Sequence, residues 1–266
     1  MNIKAFVANE NEKPLDKIVD DGGYTSILRT IGCVGDSLSS GEFESTKEDG
    51  NKGYHDYYDY SWGQFIARMS GCTVYNFSRG GMTAREYCNS FAENNGFWDK
   101  DKACKAYIIA LGVNDVLNQG QPFGGFDDIC LDDHTKNANT FIGRYGEIVQ
   151  RLKEISPDAK FFFMTMPDED VSEERKNKML EHRYVMYKMA EFFDNSYVID
   201  LMKYGPKYDA EFRKNFYLGG HMNACGYYLT AKMVASYIDY IIRHNMDDFR
   251  QIGFVGTPFK NAHYKF

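Results

Sequence analysis

Four groups in this chain have the types needed for attack on a carbonyl carbon: the hydroxyl of Ser37, the imidazole of His221, the side-chain amide of Asn114 and the backbone at Gly81. A serine hydroxyl is a poor nucleophile until a base takes its proton. Histidine is the side-chain type that exchanges a proton near neutral pH. The oxygen of an attacked carbonyl becomes an anion and needs fixed hydrogen-bond donors. These residues are far apart in sequence, so the chemistry requires a fold that brings them together.

The elements to do so are legible. An apolar run reaches Val34 and breaks into Gly35-Asp36-Ser37. This predicts a buried strand ending in a tight turn with one hydroxyl at its tip, with Asp36 holding the turn. A helix over 62–70 leads to a second strand, Thr73 to Phe77, which runs into Ser78-Arg79-Gly80-Gly81-Met82-Thr83 and a helix to about Phe91. The run Ala106 to Leu111 is apolar throughout, as in a strand buried on both faces, and ends in Gly112-Val113-Asn114-Asp115. Apolar positions at helical spacing fill 141–155 before Pro157. Further strands are expected at 160–165 and 197–201. Between them a helix starts at a capping box of Asp170 and Glu173, and Asn223 caps a last helix through Ile241. Strands alternating with helices predict an α/β fold, a three-layer α/β/α sandwich on a mainly parallel sheet of about five strands. Such sheets bind ligands at the carboxyl ends of their strands.

The expected organisation is a lead-in over 1–30, one catalytic domain over 31–244, and a tail over 245–266. The tail's Phe249, Ile252, Phe254 and Phe259 are expected to dock on the body or on a second copy of the chain, as a homodimer. The insert after Ser37 is acidic and aromatic and reads as a long loop walling the site. Tyr58, Tyr60 and Trp62 within it are the candidate substrate-binding rings, suited to stacking on a sugar. A formal net charge of −7 over 266 residues disfavours nucleic acid and anionic lipid as partners. No signal peptide or membrane-length apolar run is visible, which gives a soluble cytoplasmic protein as the expectation. The six cysteines lack metal-ligand spacing and read as free thiols, so neither a metal nor a cofactor is expected.

Taken together the four blocks resemble the SGNH subfamily of GDSL-type hydrolases, whose flavodoxin-like fold matches the reading above. Gly35-Asp36-Ser37-Leu38-Ser39 matches the nucleophile block, and Asn76 to Thr83, with Gly81, the glycine block. Gly112-Val113-Asn114-Asp115 matches the GxND block, and His221 with Asn223 and Gly226 the histidine block. The resemblance implies Ser37 as nucleophile and His221 as base. It implies an oxyanion hole from the backbone N–H of Ser37, the backbone N–H of Gly81 and the amide of Asn114.

One departure stands out. The family usually places an acid three residues before the histidine, and here that position is Leu218. The expected substitute is a backbone carbonyl around Leu218, giving a Ser–His dyad, with Asp200, Asp209 and Glu211 as replacement carboxylates. The activity expected is hydrolysis of small carboxylic esters through an acyl-enzyme, with O-acetyl groups on a carbohydrate favoured. Two alternatives stay open: a degenerate hydrolase that only binds carbohydrate, and an acyltransferase.

Overall fold

The computed structural model describes residues 7–250. Nine strands occur among them: β1 (Thr30–Gly35), β2 (Glu42–Thr46), β3 (Lys52–Asp56), β4 (Thr73–Ser78), β5 (Ala106–Ala110), β6 (Lys160–Met164), β7 (Ser196–Ile199), β8 (Tyr217–Leu218) and β9 (His221–Met222). Five form the central sheet in the order β4-β1-β5-β6-β7, and every neighbouring pair is parallel. The chain therefore winds outward to β4, returns past β1 and continues the other way. Its reversal lies between β1 and β5, where a doubly wound sheet opens a crevice at the strand ends. Ser37 and Asn114 follow those two strands.

Side chains of a buried parallel strand alternate between two apolar layers. Val34, Tyr107, Ile109, Phe161 and Phe163 face one layer, shared with the helices Phe141–Ile155 and Glu173–Phe192. Ile31, Cys33, Ile108 and Phe162 face the other, shared with Trp62–Ser70 and Ala224–His244. This is the expected α/β/α sandwich. Asn223 caps the last helix, its side chain accepting from the Gly226 N–H at 2.9 Å. The cap before 173 differs from expectation. Ser172, not Asp170, accepts from the Arg175 N–H, because a hydroxyl adjacent to the first helical residue is already in the capping position.

The larger departure is the insert after Ser37. Its first part is not a loop but an antiparallel hairpin of β2 on β3, with Glu42 opposite Asp56 and Glu44 opposite Tyr54. Alternation puts Glu42, Glu44, Lys52, Tyr54 and Asp56 on one face. In the tail, Phe249 is buried and packs on Tyr197, their ring centroids 5.3 Å apart. Ile252, Phe254 and Phe259 lie outside the described residues. The cysteines are all free, four of them buried. No helix among the described residues is long and apolar enough to cross a membrane.

One buried histidine ties a helix to the end of β5. His182 Nε2 donates to the Leu111 carbonyl at 3.0 Å, and its Nδ1 has no partner among the described residues. Burial pushes its pKa down to about 4, against about 6.5 in an unfolded chain. The neutral ring therefore stabilises the fold above pH ~6.5, and that stability is lost as pH falls toward 4. The loss is about 3 kcal/mol. Asp36 and Asp115 act in the opposite sense, since burial raises them to about 6 and about 7. Their contribution is present at low pH and lost as pH rises through those values. His182→Gln keeps a donor for Leu111 and removes the titration. Denaturant unfolding at pH 7 and pH 4.5 is expected to show wild type losing roughly 2–3 kcal/mol more than the variant on acidification. Equal losses in both would exclude this role for His182.

Candidate active site

The short helix Ser37–Ser40 starts directly after β1, and Asp36 is its cap, Oδ1 accepting from the Leu38 N–H at 3.1 Å. Gly41 ends it in a left-handed conformation and turns the chain into β2. The first N–H groups of a helix have no intrahelical acceptor, and Ser37 is the first residue of this one. The glycine block joins β1 through a hydrogen bond from the Arg79 N–H to the Gly35 carbonyl at 3.3 Å. Gly81 has φ 71°, and open space lies where a side chain would project. A residue with a Cβ would be strained there.

Asn114 reaches the same place from β5. Its Nδ2 donates to the Met82 carbonyl at 3.2 Å and lies 3.5 Å from Asp36 Oδ2, while its Oδ1 accepts from Asn118 at 2.9 Å. The 3.5 Å contact is at the limit of a hydrogen bond, so one amide hydrogen is weakly held. Asp115 accepts from the Ala84 N–H at 2.8 Å, which fixes the glycine block against the end of β5. Asp36 and Asp115 thus both serve the scaffold.

His221 opens β9, which pairs back on β8 with Leu218 opposite His221. The Ser37–Ser40 turn packs beside β9, and so does β2. Both ring nitrogens of His221 are turned to carboxylates of the hairpin: Nε2 lies 3.2 Å from Glu42 Oε1, and Nδ1 lies 3.6 Å from Glu44 Oε2. Among the described residues Ser37 Oγ hydrogen-bonds neither ring nitrogen. Tyr54 meets the imidazole edge to face, with centroids 5.6 Å apart. Glu42 also presses against Gly80, where a Cβ would collide with Oε2. Its carboxylate therefore bridges the glycine block and the imidazole. Burial raises the Glu42 pKa, with the His221 charge acting against it. Glu44 is held below the usual carboxylate range by Lys52 at 2.7 Å and the Gly220 N–H at 2.7 Å.

The structure thus gathers Ser37, Gly81, Asn114 and His221 at one rim. It does not bring the proposed replacement acids there. Asp200 is fully buried among Arg183 at 2.6 Å, Tyr187 at 2.8 Å and the Lys203 N–H at 3.0 Å. Asp209 caps the helix Ala210–Phe216, accepting from the Phe212 N–H, and Glu211 is exposed on that helix. Leu218 reaches His221 as its backbone ladder partner. Trp62 is only 1% exposed and belongs to the core, so it offers no ring to a substrate. Tyr58 is partly buried and donates its hydroxyl to the Val74 carbonyl at 2.8 Å. Tyr60 remains exposed, and so do Tyr54 and Tyr57. Glu42, Glu44 and Tyr54 are the site neighbours that sequence reasoning missed. The signal was the alternation of Glu42-Phe43-Glu44 and Tyr54-His55-Asp56, which is the period of a strand.

A family model for the GDSL-like lipase/acylhydrolase family matches residues 33–229. The chain belongs to that family. This makes it a hydrolase by descent, and the matched span holds every residue of the site. No curated protein matches the sequence. Among solved structures, a protein from Lactobacillus plantarum has a TM-score of 0.60 at 15% identity, covering 80% of this chain and 97% of that one. A family two carbohydrate esterase from Clostridium thermocellum, solved with cellohexaose, has a TM-score of 0.55 at 16% identity, covering 89% of this chain and 66% of that one. A family 3 carbohydrate esterase from the same organism has a TM-score of 0.51 at 16% identity, covering 81% and 97%. At these identities the likeness is one of fold.

Proposed function

We propose that this family member is a serine esterase that hydrolyses small carboxylic esters through an acyl-enzyme, with O-acetylated carbohydrate as the substrate class. The observation that carries the reading is the meeting of the Ser37 turn, the open left-handed Gly81, the Asn114 amide and the paired imidazole of His221 at the sheet's reversal point. Ser37 Oγ attacks the ester carbonyl, and His221 Nε2 takes its proton. The oxygen that gains charge is met by the Ser37 N–H, the Gly81 N–H and the Asn114 amide. His221 then returns the proton to the leaving alcohol, and water repeats the cycle on the acyl group. Glu42 stands against Gly80 and Nε2, so this reaction requires its carboxylate to leave Nε2 before the base can act.

Three exposed tyrosines, Tyr54, Tyr57 and Tyr60, lie on the hairpin and the segment that follows it. Aromatic faces with polar tips suit a sugar better than an acyl chain. The two carbohydrate esterases of the same fold support the same class. A screen of acetylated sugars beside p-nitrophenyl esters of rising chain length tests it. Acetate release from sugars and a preference for short chains are expected; preference for long chains would end the carbohydrate reading.

A binding-only reading draws on the Nε2–Glu42 contact of 3.2 Å, which occupies the base. A fluorophosphonate probe separates the two readings, because only an activated Ser37 becomes labelled.

A further inference from the structure

We propose that Glu44 is the acid that orients His221, supplied by the hairpin after the nucleophile instead of the segment before the histidine. The inference rests on the esterase reading and adds to it a positioning residue. In a serine–histidine pair the ring nitrogen remote from the nucleophile needs an anion to fix the ring and to stabilise the imidazolium. With Nε2 as the base, that nitrogen is Nδ1. It is buried, has no hydrogen-bond partner among the described residues, and lies 3.6 Å from Glu44 Oε2. A movement of a few tenths of an ångström converts the contact into a hydrogen bond.

Glu44 is built for the role. Its side chain is 6% exposed, and its carboxylate is fixed by Lys52 at 2.7 Å and by the Gly220 N–H at 2.7 Å. The turn before His221 is shaped around it. Gly219 has φ 69°, and a Cβ there would collide with Glu44 Oε1. A Cβ at Gly220 would stand 3.0 Å from Glu44 Oε2. Where the family carries an acid on this segment, the present chain carries two glycines that let a carboxylate come in from another strand. Glu42 is the competing acid, but it faces Nε2, the nitrogen that must be free for Ser37.

The titratable groups that meet the imidazole are Glu42 and Glu44 on β2 and Tyr54 on β3; behind them stand Lys52, paired with Glu44, and Asp56 and Asp36, whose charges interact with that of Glu42. The test measures kcat and KM against pH on a short-chain p-nitrophenyl ester, together with the NMR titration of the His221 ring protons. Glu44→Gln keeps an acceptor for Gly220 and removes the charge. It is expected to lower kcat by about 10²-fold with little change in KM. It should also move the acidic limb of the profile and the ring titration down by about one pH unit, because the imidazolium loses an anion. Lys52→Gln leaves the carboxylate and removes its counter-charge, so both midpoints move up. This opposite arm keeps the test decisive if Glu44→Gln folds poorly.

Wild-type kcat and an unmoved ring titration in Glu44→Gln would overturn the proposal. So would a downward shift found in Glu42→Gln and absent from Glu44→Gln. If wild type hydrolyses no ester but Glu44→Gln still shifts the ring titration, the pairing stands and the esterase reading falls.

Discussion

Ser37→Ala is expected to lower kcat/KM for a short-chain ester by about 10⁴-fold or more, and His221→Ala to do nearly the same. Nucleophile and base act on one proton, so removing either removes the step. The double variant should then be scarcely worse than either single one. Ser37 sits at the first position of a helix capped by Asp36, and alanine disturbs none of the backbone bonds that hold that turn. Ser37→Ala should keep its melting temperature while losing activity. His221→Ala also takes the partner from the carboxylates of Glu42 and Glu44, so some stability goes with it and a thermal melt separates that loss from the loss of rate. Steady-state rates of the three variants check this. Wild-type turnover in either single variant would remove Ser37 and His221 from the reaction, and multiplied losses in the double would mean that they act in separate steps.

Asn114→Ala is expected to lower kcat by about 10²–10³-fold with KM changed far less, the signature of a donor used mainly in the transition state. Asn114 bridges the Met82 carbonyl at 3.2 Å and Asn118 at 2.9 Å, so it sits where the glycine block meets the end of β5. Some stability will go with it, and a thermal melt separates that loss from the loss of rate. A fall confined to KM would make Asn114 a substrate-binding group and leave the developing anion to the two backbone N–H groups.

The sheet was legible in the chain because buried parallel strands are written as apolar runs, and each of the first three ends in a small polar block. Val34 before Gly35-Asp36-Ser37, and Leu111 before Gly112-Val113-Asn114, announce a strand and its functional end together. The doubly wound order follows from alternation with helices. The last helix was legible from Asn223, because a cap is a local interaction three residues long.

What orients His221 was not legible. The local sequence offers Leu218 and two glycines, while the nearest carboxylates come from Glu42 and Glu44, far earlier in the chain. A hairpin of ten strand residues with three acids, a tyrosine and a lysine has the composition of a loop, and only its pairing register puts Glu42 and Glu44 on the face turned to the imidazole. Trp62 shows the same limit in reverse. An aromatic beside a polar insert reads as a binding ring, yet the first turn of its helix faces inward and buries it. Sequence alone determined the strands and the turns at their ends that carry Ser37, Gly81 and Asn114, because those are set by short-range pattern. Tertiary structure decided which charges face the base, because a carboxylate and an imidazole held together by folding leave no fixed spacing along the chain.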